Sequence, residues 1–295
     1  MESKINVSII IPTYNRSKSI LALLNSLDKQ ITKEIEVLII EQKYNFSKMY
    51  GKFLSKHNAQ FKYFYLKQQS LPAARNKGVE NSNGDIILFL DDDVIVENSL
   101  VTNHLNNYRD KNIGGIAGRV ITPGQKNDIN NEHVGRISLI GNFSDGFSSK
   151  IRQEVDTVIG CNSSWRKKLL QEIGGFDEKF TGNAIREDSD VSLRVKNLGY
   201  KIIFDPSSTV THCRAIKGGS RKSEGRDKWY FDFFSNEVYF FLKHRPKILL
   251  PILILSKYEW FIRSFFGFTR GQTVLSSLFT PILGIINGIH KYKKV

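Results

Sequence analysis

Asp85–Asp93, DIILFLDDD, is the stretch whose reading decides the fold. Five consecutive apolar residues, Ile86–Leu90, have the length of a strand and carry no polar face, which predicts a strand buried on both sides. Three carboxylates follow without a spacer. Placed at the end of a buried strand they repel one another, and that costs stability unless a cation compensates. A hard divalent ion with oxygen ligands does so, and Mg2+ or Mn2+ typically shares such a site with substrate phosphates. The plainer alternative is a solvated acidic turn with all three side chains in water.

Upstream, Leu71–Glu80 has a helical pattern that stops near Asn83-Gly84. Val7–Ile11 is a β-branched apolar run closed by Pro12, and Glu36–Ile40 and Phe61–Leu66 predict two further strands. Between them Ser17–Leu27 carries Ile20, Leu23, Leu24 and Leu27 at helical spacing. Strands alternating with helices imply βαβ units and a mostly parallel α/β sheet. Ligands of such sheets sit beyond the carboxyl ends of the strands. Candidate chemistry therefore falls on Thr13–Arg16, Glu41-Gln42 and Asp91–Asp93, each polar and each directly after an apolar run.

Downstream, Pro123–Ser149 is rich in Gly, Asn, Asp and Ser and reads as a long mobile loop of the lid or binding type. Asp156–Ile159 predicts a strand, Trp165–Ile173 and Glu187–Leu198 predict helices, and Lys201–Phe204 and Thr209–His212 predict two short strands. Asp188, Val191, Val195 and Leu198 share one helical face, so Asp188 begins the inward stripe while Asp190 and Arg194 point elsewhere. A carboxylate there serves either as a cap at the positive end of the helix or as a catalytic group. His212 is open to two readings, metal ligand or structural histidine. Arg75 and Lys77 either meet a diphosphate or are exposed helix charges, and Trp165 either stacks on a sugar or fills the core.

The 295 residues carry 43 Lys+Arg against 29 Asp+Glu, a net charge of +14, with 40% hydrophobic and 24% charged residues. Those proportions exclude wholesale disorder and collagen-like structure. Cys161 and Cys213 cannot build a disulfide framework and form no C-x-x-C spacing, which suits a reduced intracellular chain. Met1–Asn6 lacks the features of a secretory signal. Charge is uneven: residues 217–295 hold 14 Lys+Arg, only 5 Asp+Glu, and 16 of the 34 aromatics. Basic, aromatic and apolar together predict contact with an anionic membrane surface rather than with nucleic acid. The apolar runs Ile248–Leu255 and Thr273–Ile289 are short for a span of about 20 residues, and the second contains Pro281, Gly284 and Gly288. In-plane or re-entrant association is expected, with a soluble helical cap as the alternative. Two regions result: a catalytic domain over 1–216 and a basic, apolar helical region over 217–295.

Taken together, four segments resemble the family 2 glycosyltransferases. Val7–Arg16, VSIIIPTYNR, is similar to that family's opening strand and loop, and Leu71–Asp93 resembles its Ala-Arg-Asn helix, strand and Asp-x-Asp motif. Gly174-Gly175-Phe176-Asp177 with Glu187-Asp188 resembles its acceptor-side segment, and Val210–His212 its following strand with a terminal His. The matches run in family order over roughly 5–215. The resemblance implies a GT-A fold: a Rossmann-like, mostly parallel sheet flanked by helices, here with a C-terminal helical, aromatic-rich extension. It implies a nucleotide diphosphate-sugar donor, with Pro12, Thr13 and Tyr14 lining the base and ribose pocket and Arg16 nearby. Glu41 stands where the family has an acidic nucleoside contact, although Glu41-Gln42 replaces the usual pair of aspartates. Arg75 and Asp92 fall in the nucleotide-sugar site, Asp91 near ribose and metal, and Asp93 on an Mg2+ or Mn2+ ion, with His212 completing the metal or diphosphate site. Trp165 and Glu187 fall on the acceptor side, and Asp188 is the implied base of a single displacement with inversion.

The implied acceptor is a hydroxyl of a glycan or lipid-linked molecule in cell-surface polysaccharide or glycoconjugate synthesis. The implied location is the cytoplasmic face of the membrane, without a nucleic-acid partner. Among rivals, a haloacid-dehalogenase-type phosphatase shares only the strand followed by Asp-x-Asp. A sugar-nucleotide pyrophosphorylase would want a Gly-rich loop where Tyr14-Asn15-Arg16 stands. A non-catalytic glycan-binding protein on the same fold is the remaining alternative, opposed by the intact Asp93 and Asp188.

Overall fold

Apolar runs without a polar face have to be covered on both sides, and the sheet is built around three of them. In the computed structural model, which describes residues 7–42, 51, 55, 60–213, 225–266 and 274–294, β1 (Val7–Thr13), β2 (Ile35–Gln42) and β4 (Ile86–Leu90) are buried almost throughout. β1 pairs in parallel with β2 and β4, and β2 in parallel with β3 (Phe61–Leu66). α1 (Ser17–Leu27) covers one face with Ile20, Leu23, Leu24 and Leu27, all without exposed surface. α2 (Leu71–Asn81) starts at a Ser70 cap that accepts from the Ala73 N–H, with Pro72 in its first turn. It lies so close on β1 that a Cβ at Gly78 would sit 2.4 Å from an Ile10 methyl.

The nine-stranded sheet has the order β3-β2-β1-β4-β8-β6-β9-β5, with β7 (Gln153–Glu154) beside β9. β6 (Ile113–Ile121) and β9 (Lys201–His212) run with β1 to β4, whereas β5 (Val94–Val96), β7 and β8 (Asn162–Arg166) run against them. α3 (Leu100–Asn107) packs on β9 and β6, and α5 (Glu187–Asn197) contacts the same two strands.

Several sequence expectations change in this half. Asp156–Ile159 is not a strand, because the Asp156 and Thr157 N–H groups donate to the Gly135 carbonyl in the preceding loop. Residues 165 and 166 belong to β8, so the helix expected from Trp165 is α4 over Lys167–Glu172 only. The two short strands expected around 201–212 are one strand, broken in register between Gly118 and Arg119 of β6 where Asp205 gives way to Thr209. The loop expected to be mobile, Pro123–Ser149, is tied to itself and to the core. Gly135 N–H donates to Asp145 O, Ser144 N–H to Arg136 O, and Val134 and Phe147 are buried. On α5, Val191 and Val195 are buried as expected, but Leu198 is 41% exposed and Asp190 is fully buried.

α6 (Arg226–His244) runs through an aromatic interior, with Tyr239 and Phe240 packed on Phe180, and Tyr230, Phe233 and Phe234 on Trp260 and Phe261. α7 (Leu250–Ser256) and α8 (Tyr258–Phe266) follow, and α9 (Val274–Lys293) lies along α6. The glycines of α9 explain that closeness: a Cβ on Gly284 would stand 2.6 Å from Phe231 O, and one on Gly288 2.6 Å from Ser235 O. Among the described residues no helix is long and apolar enough to cross a membrane. Met1–Asn6 and the 216/217 boundary lie outside the described residues.

Candidate active site

The carboxyl ends of β1 and β4 bring their loops together, and Asp92 locks them. It accepts from Thr13 Oγ1 at 2.6 Å and from Arg16 Nη1 at 3.0 Å, and the same Arg16 nitrogen reaches Asp93 Oδ2 at 2.8 Å. Burial pushes the Asp92 carboxyl up to about 7, against the pull of Arg16 and Thr13. Asp91 and Asp93 also meet His212. With His212 they offer one ligand atom each, all within 4.8 Å of one another. Sheet register produces this group: β5 follows the aspartates directly and pairs antiparallel with β9, setting Val94 opposite His212. His212 Nε2 then lies 3.1 Å from Asp93 Oδ1. Two carboxylates and an imidazole are a donor set for a divalent cation such as Mn2+ or Mg2+, with positions left for phosphate oxygens.

Arg75 sits behind this corner. Its guanidinium forms a buried pair with Glu187, donates to Gly160 O at 3.0 Å and comes within 3.9 Å of Asp91 Oδ1. The rings of Phe89 and Phe176 flank it at 5.4 and 5.3 Å. Gly160 N–H in turn donates to Asp188 Oδ2 at 3.0 Å, and Ser189 N–H donates to Asp188 Oδ1 at 2.8 Å. A cleft of about 420 Å³ is lined by Arg75, Asp91, Asp188 and His212 and, from the C-terminal helices, by Trp229, Phe233 and Trp260. One arginine and one glycine thus connect the acidic corner to the lone carboxylate of Asp188.

The structure brings together Arg75, Asp91, Asp93, Glu187, Asp188 and His212. Pro12, Thr13 and Tyr14 are buried at the end of β1, and Arg16 reaches the corner through its side chain. Glu41, the expected nucleoside contact, lies inside the sheet. It pairs with Thr13 in the β1–β2 ladder and has no exposed surface to offer a base. Its neighbour Gln42 is a strut, accepting from Ser70 N–H at 2.9 Å. Glu187 is committed to Arg75, and so ties α5 to α2. Trp165 is not placed to stack on an acceptor sugar: it is 1% exposed, and a Cβ on Gly115 would touch its ring. Lys77 pairs with Glu80 at 3.1 Å on the exposed side of α2.

Sequence reasoning missed Trp229, Phe233 and Trp260, which carry no motif and reach the cleft only because α6 and α8 fold back on it. It also turned Asp190 outward. That carboxylate accepts from His244 at 2.7 Å and meets Lys243 at 2.8 Å and Arg194 at 2.6 Å. Although burial opposes ionisation, these partners hold it down to about 2.

Comparison with known proteins gives the family. The model of glycosyl transferase family 2 matches residues 8–174, and that described as the N-terminal domain of galactosyltransferase matches 142–217. The chain is 23% identical over 210 residues to the probable glycosyltransferase YdaM of Bacillus subtilis (strain 168), covering 68% of this chain and 49% of that protein. It is 24% identical over 236 residues to the amylovoran biosynthesis glycosyltransferase AmsB of Erwinia amylovora, covering 74% and 72%. It spans about half or less of the first curated relatives it matches, 49%, 14% and 46% of their lengths.

Two solved structures share the fold. Staphylococcus aureus TarS 1–349 in complex with UDP-GlcNAc has a TM-score of 0.62 at 16% identity, over 98% of this chain and 89% of that one. The mannosyltransferase PcManGT of Pyrobaculum calidifontis, in complex with GDP-Man and Mn2+, has a TM-score of 0.60 at 15% identity, over 98% and 76%. With the family model matched over more than half of its residues and a sheet of the GT-A type beneath the match, this chain belongs to glycosyl transferase family 2.

Proposed function

We propose that the protein moves a sugar from a nucleotide diphosphate-sugar to a hydroxyl of a glycan or lipid-linked acceptor, with inversion, in polysaccharide or glycoconjugate synthesis. The observation that carries this reading is that Asp188 lines one cleft with Asp91 and His212, whose ligand group Asp93 completes, and that Arg75 and Gly160 stand between them. Asp91, Asp93 and His212 would hold a divalent ion, which supplies Lewis-acid stabilisation of the departing diphosphate. A sugar hydroxyl is a poor nucleophile at neutral pH, so Asp188, oriented by the Gly160 and Ser189 N–H groups, takes its proton as attack develops. One base facing one leaving group gives a single displacement.

Related proteins support the donor and product classes: PcManGT binds GDP-Man with Mn2+, TarS binds UDP-GlcNAc, and AmsB is named for amylovoran biosynthesis.

The region after 217 adds a membrane contact to this reading. On α9, Phe279, Ile282, Leu283 and Ile286 form an exposed stripe at helical spacing, and Tyr258 and Ile262 on α8 and Ile252 and Leu255 on α7 are exposed too. α9 carries no acidic residue and ends in Lys291 and Lys293, with Lys294 beyond. An apolar stripe with a basic C-terminal end suits peripheral docking on anionic lipid at the inner face of the cell membrane.

A donor panel tests the function. UDP-, GDP- and dTDP-sugars are each combined with Mn2+ or Mg2+ and followed by thermal shift and slow donor hydrolysis. Metal-dependent stabilisation and hydrolysis by one nucleotide class is the expected result; folded protein that responds to no donor would contradict the proposal.

A further inference from the structure

The residues just before Glu187-Asp188 leave ordinary backbone space. Gly182, Ala184 and Arg186 have φ of +61°, +50° and +78°. For Ala and Arg that is the left-handed region, which persists only where the surroundings impose it. Helix α6 imposes it. Asn236 Nδ2 donates to Thr181 O at 2.9 Å and to Asn183 Oδ1 at 3.1 Å, and Asn183 Nδ2 donates to Trp229 O at 3.2 Å. Position 182 has no room for a side chain, because a Cβ there would collide with the Asp232 carboxylate.

Glu237 makes the strongest of these contacts. Only 2% exposed, it accepts from Arg186 Nε at 2.5 Å with one oxygen, and its other oxygen lies 3.4 Å from Lys257 Nζ. The Arg186 guanidinium rests on the ring of Phe143, which lines the cleft. Two residues beyond Asp188, Asp190 is held by Lys243 and His244 of the same helix α6. The catalytic-side helix α5 is therefore gripped on both sides of Asp188 by one C-terminal element.

We propose that α6, acting through Glu237, is a positioning element of the transfer reaction. It holds the 181–186 turn, with Gly182, Ala184 and Arg186 at positive φ, and thereby fixes where the Asp188 carboxylate stands in the cleft. Glu237 touches no substrate, so it is a positioning residue, and the inference rests on the reading of Asp188 as the base. The C-terminal region is then part of the catalytic apparatus as well as a membrane-facing layer. Displacing a catalytic group by about 1 Å costs on the order of a hundredfold in rate.

The test is Glu237→Gln in the full chain, which keeps volume and one acceptor oxygen but removes the charge. Hydrogen exchange of amides 181–190 is expected to rise about tenfold while exchange in β1, β2 and β4 stays as in wild type. Donor hydrolysis, with the donor chosen by the panel, is expected to lose about 10- to 100-fold in kcat at unchanged donor KM. A merely structural contact would instead loosen the sheet together with the turn and leave kcat as in wild type. Should this variant not fold, Arg186→Gln asks the same question, since it removes the cation that Glu237 holds while keeping a side chain that strains the +78° φ. Wild type that hydrolyses donor, with unchanged exchange and kcat in the folded variant, would overturn the clamp alone. Wild type that hydrolyses no donor would overturn the reading of Asp188, and the positioning claim with it.

Discussion

Two groups of carboxylates lie within this molecule, and they are balanced in opposite ways. Asp177 and Asp190 are surrounded by their own cations and donors: Lys243 meets both, Arg194 and His244 complete Asp190, and Tyr239 OH donates to Asp177. Asp91, Asp92 and Asp93 share Arg16 and His212, while nearby Arg75 is already paired with Glu187. The first group closes on itself and joins α5 to α6. The second leaves negative charge facing a cleft, which is what a metal and a diphosphate need. Acidity alone does not mark a metal site; a deficit of protein cations around it does.

Removing one carboxylate from each group should therefore have unlike consequences. The largest stability effect is expected from Asp190→Ala, which strands Arg194, Lys243 and His244 in a buried setting and should cost about 3–5 kcal/mol by denaturant unfolding. Asp93→Ala should leave metal-free stability within about 1 kcal/mol of wild type, because Arg16 keeps Asp92. Its loss lies elsewhere: Mn2+-dependent thermal stabilisation should weaken by about 10- to 100-fold in metal affinity. If the two variants destabilised the metal-free protein equally, the distinction between the groups would fail.

Acid sharpens the contrast. The Asp190 carboxyl is held at about 2 in the fold, below its ordinary value near 4. A depressed acid contributes stability that is complete above about pH 4 and disappears as pH falls toward 2, here on the order of 2 kcal/mol. Asp190→Asn should flatten that part of the pH–stability curve, as followed by unfolding between pH 5 and 2. The smallest effect is expected from Asp177→Asn, about 1 kcal/mol, since it loses one charged hydrogen bond while Lys243 keeps Asp190.

Legibility in the sequence divides along a related line. β1, β2, β4 and α1 were readable because each buries aliphatic side chains at a period visible in one segment. β8 was not. Its Asn162, Ser163 and Ser164 are buried as polar groups, and His104 of α3 and Tyr108 at its C-terminal cap satisfy Asn162 and Ser164. A polar strand carries no apolar period, so Trp165 reads as the start of the helix that follows. The burial of Asp190 is equally invisible locally: two of its partners, Lys243 and His244, lie more than 50 residues away on α6. The acidic corner was legible because three consecutive carboxylates after a buried run are unusual locally. The aromatic wall and the grip on 181–186 exist only in three dimensions.

The most direct measurement is Asp188→Asn assayed beside wild type with the donor selected by the panel and Mn2+. The account predicts that metal-dependent thermal stabilisation by donor is retained while donor hydrolysis falls about 100- to 10,000-fold, the range a lost general base commands. Hydrolysis near the wild-type rate in a folded, donor-binding variant would contradict it.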